Sequence, residues 1–148
     1  MSTHIRRIRA MQALLAGSPI SYRAAYPTII GELNEVSQAG KIKRNGRKQL
    51  LQVLHSTRAL DTSLSELIAH YGIHVRTAAL GSYLYGFSNH RVAGLSQLPL
   101  AQRNHYQYAI VNKRNFYMHC AGAFPANNAE IRTLLAEMQS CLIDVLSL

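Results

Sequence analysis

In the stretch KRNFYMHCAG, which begins at Lys113, an arginine (Arg114), the asparagine after it (Asn115) and a histidine five residues on (His119) share one helix-patterned segment. These types suit phosphate chemistry. A guanidinium donates a two-pronged fork to phosphate oxygens, and no acidic residue lies between Glu66 and Glu130 to occupy Arg114 locally. Its neighbours three and four positions away are Ile110, Val111, Tyr117 and Met118, so its charge must meet a distant partner, solvent or a ligand. The plainer reading is an arginine that buries its stem and keeps its head in water. His119 stands close to the helix end signalled by Gly122, where the partial negative charge favours imidazolium, and such a group can take or give a proton. A spacing of five sets Arg114 and His119 about 140° apart on an ideal helix, so one copy does not aim both at one atom. Two copies could.

The elements that must position these residues are helical. Ile5, Ile8, Met11 and Leu15 follow a 3/4 spacing that stops at Gly17-Ser18-Pro19, the first expected helix. Pro27 suits the first turn of a second helix ending at Gly40, with Ile30, Leu33 and Val36 on one side. A third is expected from near Gly46 to Leu60. Asp61-Thr62-Ser63 then offers caps for a fourth, with Glu66 three residues after Ser63 as in a capping box. Residues 78–85 read as a further helix followed by a loop, with a short strand pair as the alternative. Helical patterning resumes over residues 100–121, where His105, Tyr108, Asn112, Asn115 and His119 fall within roughly 80° of arc. Asn127 or Asn128 caps a last helix whose stripe, Ile131, Leu134, Leu135, Met138, Leu142, Val145 and Leu146, packs internally or on a second copy. The expected architecture is all-α, in one domain.

Composition supports that frame. With 48% hydrophobic and 16% charged residues over 148 positions, the chain can bury a core without staples. Two cysteines, Cys120 and Cys141, have no metal-type spacing and point to a reducing compartment, and no run reaches the roughly 18 apolar residues of a membrane span, so a cytoplasmic protein without membrane contact is expected. The net charge of +9 is uneven: residues 1–60 hold ten Lys/Arg against Glu32 and Glu35, the remainder six against five acids. Such a field draws polyanions. The run KIKRNGRK contributes Lys41, Lys43, Arg44, Arg47 and Lys48, which with Lys113 are the candidate RNA contacts; the competing reading is a solvated turn. No Gly-rich phosphate loop or GxSxG elbow is present, and the acids are too few for paired-carboxylate work. Packing explains Tyr83, Tyr85 and Phe87 more simply than base stacking does. Neither a metal nor a cofactor is expected.

Arg114-Asn115-Phe116-Tyr117-Met118-His119 matches the R-x4-6-H motif, with a polar residue after the arginine, on a penultimate helix followed by one more. In this the chain resembles the HEPN superfamily. The resemblance covers about residues 100–146 and implies a HEPN-like up-and-down helical bundle with additional N-terminal helices. It further implies a homodimer through the helix of residues 100–121, acting as a metal-independent endoribonuclease in a toxin or antiviral-defence role. Arg114 and His119 of both chains would be catalytic, with Asn115 orienting or binding, and an antitoxin or defence-system protein would be a partner. The 2′-hydroxyl would attack the adjacent phosphate and leave a 2′,3′-cyclic phosphate, needing no metal because the nucleophile is intramolecular. In one toxin branch a tyrosine two residues after the histidine is modified by the antitoxin; here that position is Ala121. Other members are inactive scaffolds. The rival expectation is therefore a non-catalytic helical subunit that binds nucleic acid within a larger complex.

Overall fold

Ser2 accepts the Ile5 N–H at 3.2 Å and starts helix α1 (Thr3–Ala16), which ends at Gly17 with Ile8, Met11 and Leu15 buried, as the spacing predicts. A 3-10 turn (Pro19–Tyr22) leads to α2 (Tyr26–Ala39), with Pro27 in its first turn. Ile29, not Ile30, joins Leu33 and Val36 in the core, because the inward stripe is offset by one residue. These elements belong to a computed structural model that describes residues 2–120, 122 and 128–148.

The third helix departs from expectation. Helix α3 (Asn45–Tyr71) runs unbroken through Asp61-Thr62-Ser63. The capping box does not form: the Ser63 hydroxyl donates to the Ala59 carbonyl at 2.7 Å, and Glu66 pairs with Arg23. Cap-type residues tip a helix end only where solvent decides the outcome. Here Leu60, Leu64, Leu67 and Ile68 continue one buried stripe across them, and burying each such side chain is worth about 1.5–3 kcal/mol, well above a capping preference of about 1 kcal/mol. Ser56 and Thr57 likewise bond back to carbonyls one turn earlier, so their buried hydroxyls are satisfied. Gly72, at φ 69°, closes α3 in the left-handed conformation, and the Ile73 N–H reaches back to the Ile68 carbonyl at 3.0 Å.

Ile73 is buried, Val75 half-buried, and His74 and Arg76 exposed, an alternation that explains the strand-like look of this sequence. The segment instead lies extended against α4 (Leu80–Asn89), which starts and ends later than expected, and no strand occurs among the described residues. Tyr83 and Phe87 pack inward from α4.

The motif-bearing segment comprises α5 (Leu100–Tyr106), a π-helical stretch (Gln107–Asn112) and α6 (Lys113–His119), whose junctions at Gln107 and Asn112 keep right-handed helical dihedrals. It is one rod with a widened middle. The wider turn breaks the ideal angular count across residues 107–112, so only spacings inside α6 keep their expected angles. Helix α7 (Asn128–Leu146) follows, Asn128 being its first residue and Asn127 lying outside the described residues.

Pairings fix the directions. His105 with Glu137, Tyr106 with Asp144 and Tyr117 with Glu130 run the rod antiparallel to α7. Arg7 with Gln139, and Ala13 and Leu14 beside Ile143 and Leu146, set α1 parallel to α7, and Met11 and Leu15 meet α3 and α7 in one core that also takes Ile131, Leu134, Leu135, Met138, Leu142 and Val145. The α7 stripe is thus spent inside the chain rather than on a second copy. No helix among the described residues is long and apolar enough to cross a membrane.

Candidate functional site

Arg114 is half-buried on α6, one helical turn beyond buried Val111. It lines a cavity of about 220 Å³ with Asn115, Thr57, Arg58 and Asp61 of α3, and the 78–81 turn. Its Nη1 donates to the Asn115 Oδ1 at 3.1 Å, which orients the guanidinium plane. Gly81 on the wall lets the Gln107 side chain come close, since a Cβ there would stand 3.0 Å from the Gln107 Oε1. Two of the three motif residues therefore meet at one cavity. His119, the last residue of α6, is exposed and does not line it. Within one chain the inward arginine and outward histidine keep the roughly 140° separation of an i, i+5 pair.

The cavity holds a carboxylate that the local sequence around Arg114 lacks. Asp61, mid-helix on α3, has its carboxyl pushed above its ordinary value by burial, while the Arg114 charge pulls the other way and is the weaker influence. No ion pair joins the two. Arg58, also on the wall, is instead held by Glu32 at 2.8 Å, and Glu32 lies equally close to the His55 Nδ1. Arg114 keeps a field that its nearest acid only partly offsets. Sequence reasoning missed Asp61 because it sits 53 positions upstream and resembles a cap. The signal was available in the 60, 64, 67, 68 stripe, which puts Asp61 inside a helix.

The other candidates are spread over two regions. Lys41, Lys43, Arg44 and Arg47 are exposed at the α2–α3 corner, and Lys48 is half-buried on the first turns of α3. Lys113 is exposed at the start of α6 beside Tyr117 and Glu130, in a groove of about 320 Å³ facing α7.

Lys48 also takes part in a cationic convergence. It stands with Arg7 of α1 and Arg132 of α7 around His4, whose imidazole is pushed below its ordinary value of 6.5 by burial and by these three charges. The His4 Nε2 is buried without a hydrogen-bond partner among the described residues. A histidine that resists protonation in the folded chain contributes stability that is complete above its unfolded value of 6.5 and is lost as pH falls from there through its lowered folded value. The thermal midpoint should thus drop between about pH 7 and about pH 5, and His4→Asn should shrink that drop. Equal pH slopes for both chains would remove His4 from the account.

No protein-family model, curated protein or solved structure matches this chain at a significant level.

Proposed function

We propose that the chain is a HEPN-type, metal-independent endoribonuclease that works as a homodimer, with Arg114 and His119 of both copies in one cleft. The observation that carries this reading is the Arg114 guanidinium, oriented by Asn115 at an open cavity and left unpaired by Asp61. A guanidinium so placed matches the equatorial oxygens of a phosphorane, and an imidazole at a helix C-terminus matches proton transfer to the leaving 5′-oxygen. Attack by the 2′-hydroxyl, whose proton passes to one His119 imidazole, forms its bond to phosphorus as the P–O5′ bond breaks and the other copy's imidazolium protonates O5′, giving a 2′,3′-cyclic phosphate and a 5′-hydroxyl.

A second copy fits the outward face of the rod. Leu100 is 60% exposed, Tyr108 68% and Phe116 54%, and the last two lie among exposed Asn112, Asn115 and His119. Large side chains bare to that degree on the motif helix suit a helix-to-helix contact, which would bring in the second chain's His119. A toxin or defence role, and an antitoxin partner, belong to this same reading.

The competing reading, a non-catalytic nucleic-acid-binding subunit, is favoured by exposed Lys41, Lys43, Arg44 and Arg47, which lie on a different element from the motif. The two part on a simple assay. Incubation of single-stranded RNA with the chain in EDTA should yield fragments ending in 2′,3′-cyclic phosphate, with specific activity rising as the chain dimerises. Salt-sensitive binding without any cleavage would replace the nuclease by the binding subunit.

A further inference from the structure

The largest cavity among those described is separate from the Arg114 cavity in character but adjoins it. It is an open groove of about 770 Å³ between residues 72–77, α4 and residues 89–92, and it includes His74, Arg76, Ser82, Tyr85, Asn89 and Arg91. Gly81 lines both spaces. Gly81 and Tyr85 are one turn apart on α4, about 6 Å along the helix axis, so the shared wall and the ring lie on one face of that helix.

We propose that this groove carries the segment of single-stranded RNA flanking the scissile linkage, with a base stacked on Tyr85 and backbone phosphates on Arg76 and Arg91. The inference rests on the RNA reading above and extends it to how the strand is held.

Charge is the first argument. Arg76 and Arg91 are exposed and make no ion pair or hydrogen bond among the described residues, while no Asp or Glu lines the groove. The chain's acids are committed elsewhere: Glu32 to His55 and Arg58, Glu66 to Arg23, Glu137 to His105, Asp144 to Tyr106, Glu130 to Tyr117, Asp61 near Arg114, and Glu35 on the exposed side of α2. Two unopposed guanidinia with neutral Ser82 and Asn89 between them complement a sugar-phosphate backbone.

The aromatic is the second argument. Tyr83 and Phe87 of α4 are buried, whereas Tyr85 is 60% exposed, with the Arg103 guanidinium 5.3 Å from its ring centroid. Packing accounts for the first two and not the third. A ring steadied by a cation and still largely bare is a stacking platform that accepts any base.

Rigidity is the third. A Cβ on Gly86 would stand 2.8 Å from the Val75 side chain, so this glycine lets residues 73–75 pack down on α4 and turns His74 and Arg76 outward. On the far wall, the His90 Nδ1 accepts the Val92 N–H at 3.1 Å, which makes its Nε2–H the donor to the Ser96 carbonyl at 2.8 Å. Gln97 donates to the His90 carbonyl at 2.7 Å. The backbone of Arg91 lies between these fixed points, so binding has only its side chain to order there.

The test uses the full chain, a fluorescent single-stranded RNA of about ten nucleotides, and a dinucleotide as minimal substrate. Tyr85→Leu should weaken binding of the longer RNA about 5-fold to 100-fold and Tyr85→Phe should not, since stacking needs only the ring. Arg76→Gln and Arg91→Gln should each lower the salt dependence of binding by about one phosphate. Dinucleotide cleavage should stay at the parental rate in all of them, because it ends before the groove. All four replacements are at exposed positions, and unchanged thermal midpoints would verify folding. Parental affinity in Tyr85→Leu, or an equal loss against duplex RNA or heparin, would overturn the groove while dinucleotide cleavage kept the nuclease standing. Failure of the parent to cleave either substrate would instead sink the nuclease reading.

Discussion

Arg114→Ala and His119→Ala should each lower the rate of RNA cleavage by about 10²-fold to 10⁴-fold, the range observed when a charge-stabilising donor or a general acid is removed. Arg114→Lys should recover little, because an ammonium offers a point charge where the cavity presents an oriented plane bonded to Asn115. Asn115→Ala should fall between the parent and Arg114→Ala, since it loosens the guanidinium without removing it. Asp61→Asn acts in the opposite direction: it keeps the wall's shape, deletes the carboxylate that lines the cavity, and should lower KM with kcat nearly unchanged. Steady-state kinetics on the five variants separates these outcomes. A mixture of the Arg114→Ala and His119→Ala chains carries a further expectation, because α6 sends the two side chains to different sides of one copy. If the cleft is shared, mixing should restore activity that neither chain has alone. No recovery, from chains shown to associate, would mean each copy works by itself and the geometry drawn for the dimer is wrong.

The helical frame was legible wherever local pattern and burial agree. Ile8, Met11 and Leu15 on α1, and the α7 stripe from Ile131 to Val145, announce their inward faces by spacing alone. It was illegible where they compete. Asp61, Thr62 and Ser63 carry a local preference for a helix start, and a buried stripe that continues on both sides overrides it. The π-helical stretch at residues 107–112 shifts the register of the rod by an amount that no apolar period reveals. The site shows the same division. Arg114, Asn115 and His119 stand close together in sequence and could be picked out, whereas the wall facing Arg114 comes from α3 and the 78–81 turn, whose approach depends on how helices pack. Tyr85 was a matter of which face: alternation with Tyr83 and Phe87 suggests a strand, and only the helix shows that it alone of the three points outward.

Phe87→Ala should be the most damaging single change to the fold. Its side chain is fully buried, and its carbonyl accepts the Leu98 N–H at 2.9 Å, so one residue joins α4 to the segment that leads into α5. Truncating a buried phenylalanine costs about 3–5 kcal/mol, transfer and cavity together, against a total of about 5–15 kcal/mol for a domain. Urea denaturation should therefore show a large fall in midpoint at nearly constant slope, and a loss under about 1 kcal/mol would mean the site refills or α4 is loosely held. The adjacent Gly86→Ala damages in another way. Its new methyl meets Val75 at 2.8 Å, Ile73 at 3.2 Å and Ile68 at 3.3 Å, an overpacking worth about 1–3 kcal/mol. Relief is available on one side only, because Ile68 is fixed within α3 whereas residues 73–75 are held in extended form by their contact with α4. The segment should give way first. Gly86→Ala should accordingly lose stability together with the outward set of Arg76, while Phe87→Ala, at temperatures where it remains folded, should keep that set intact.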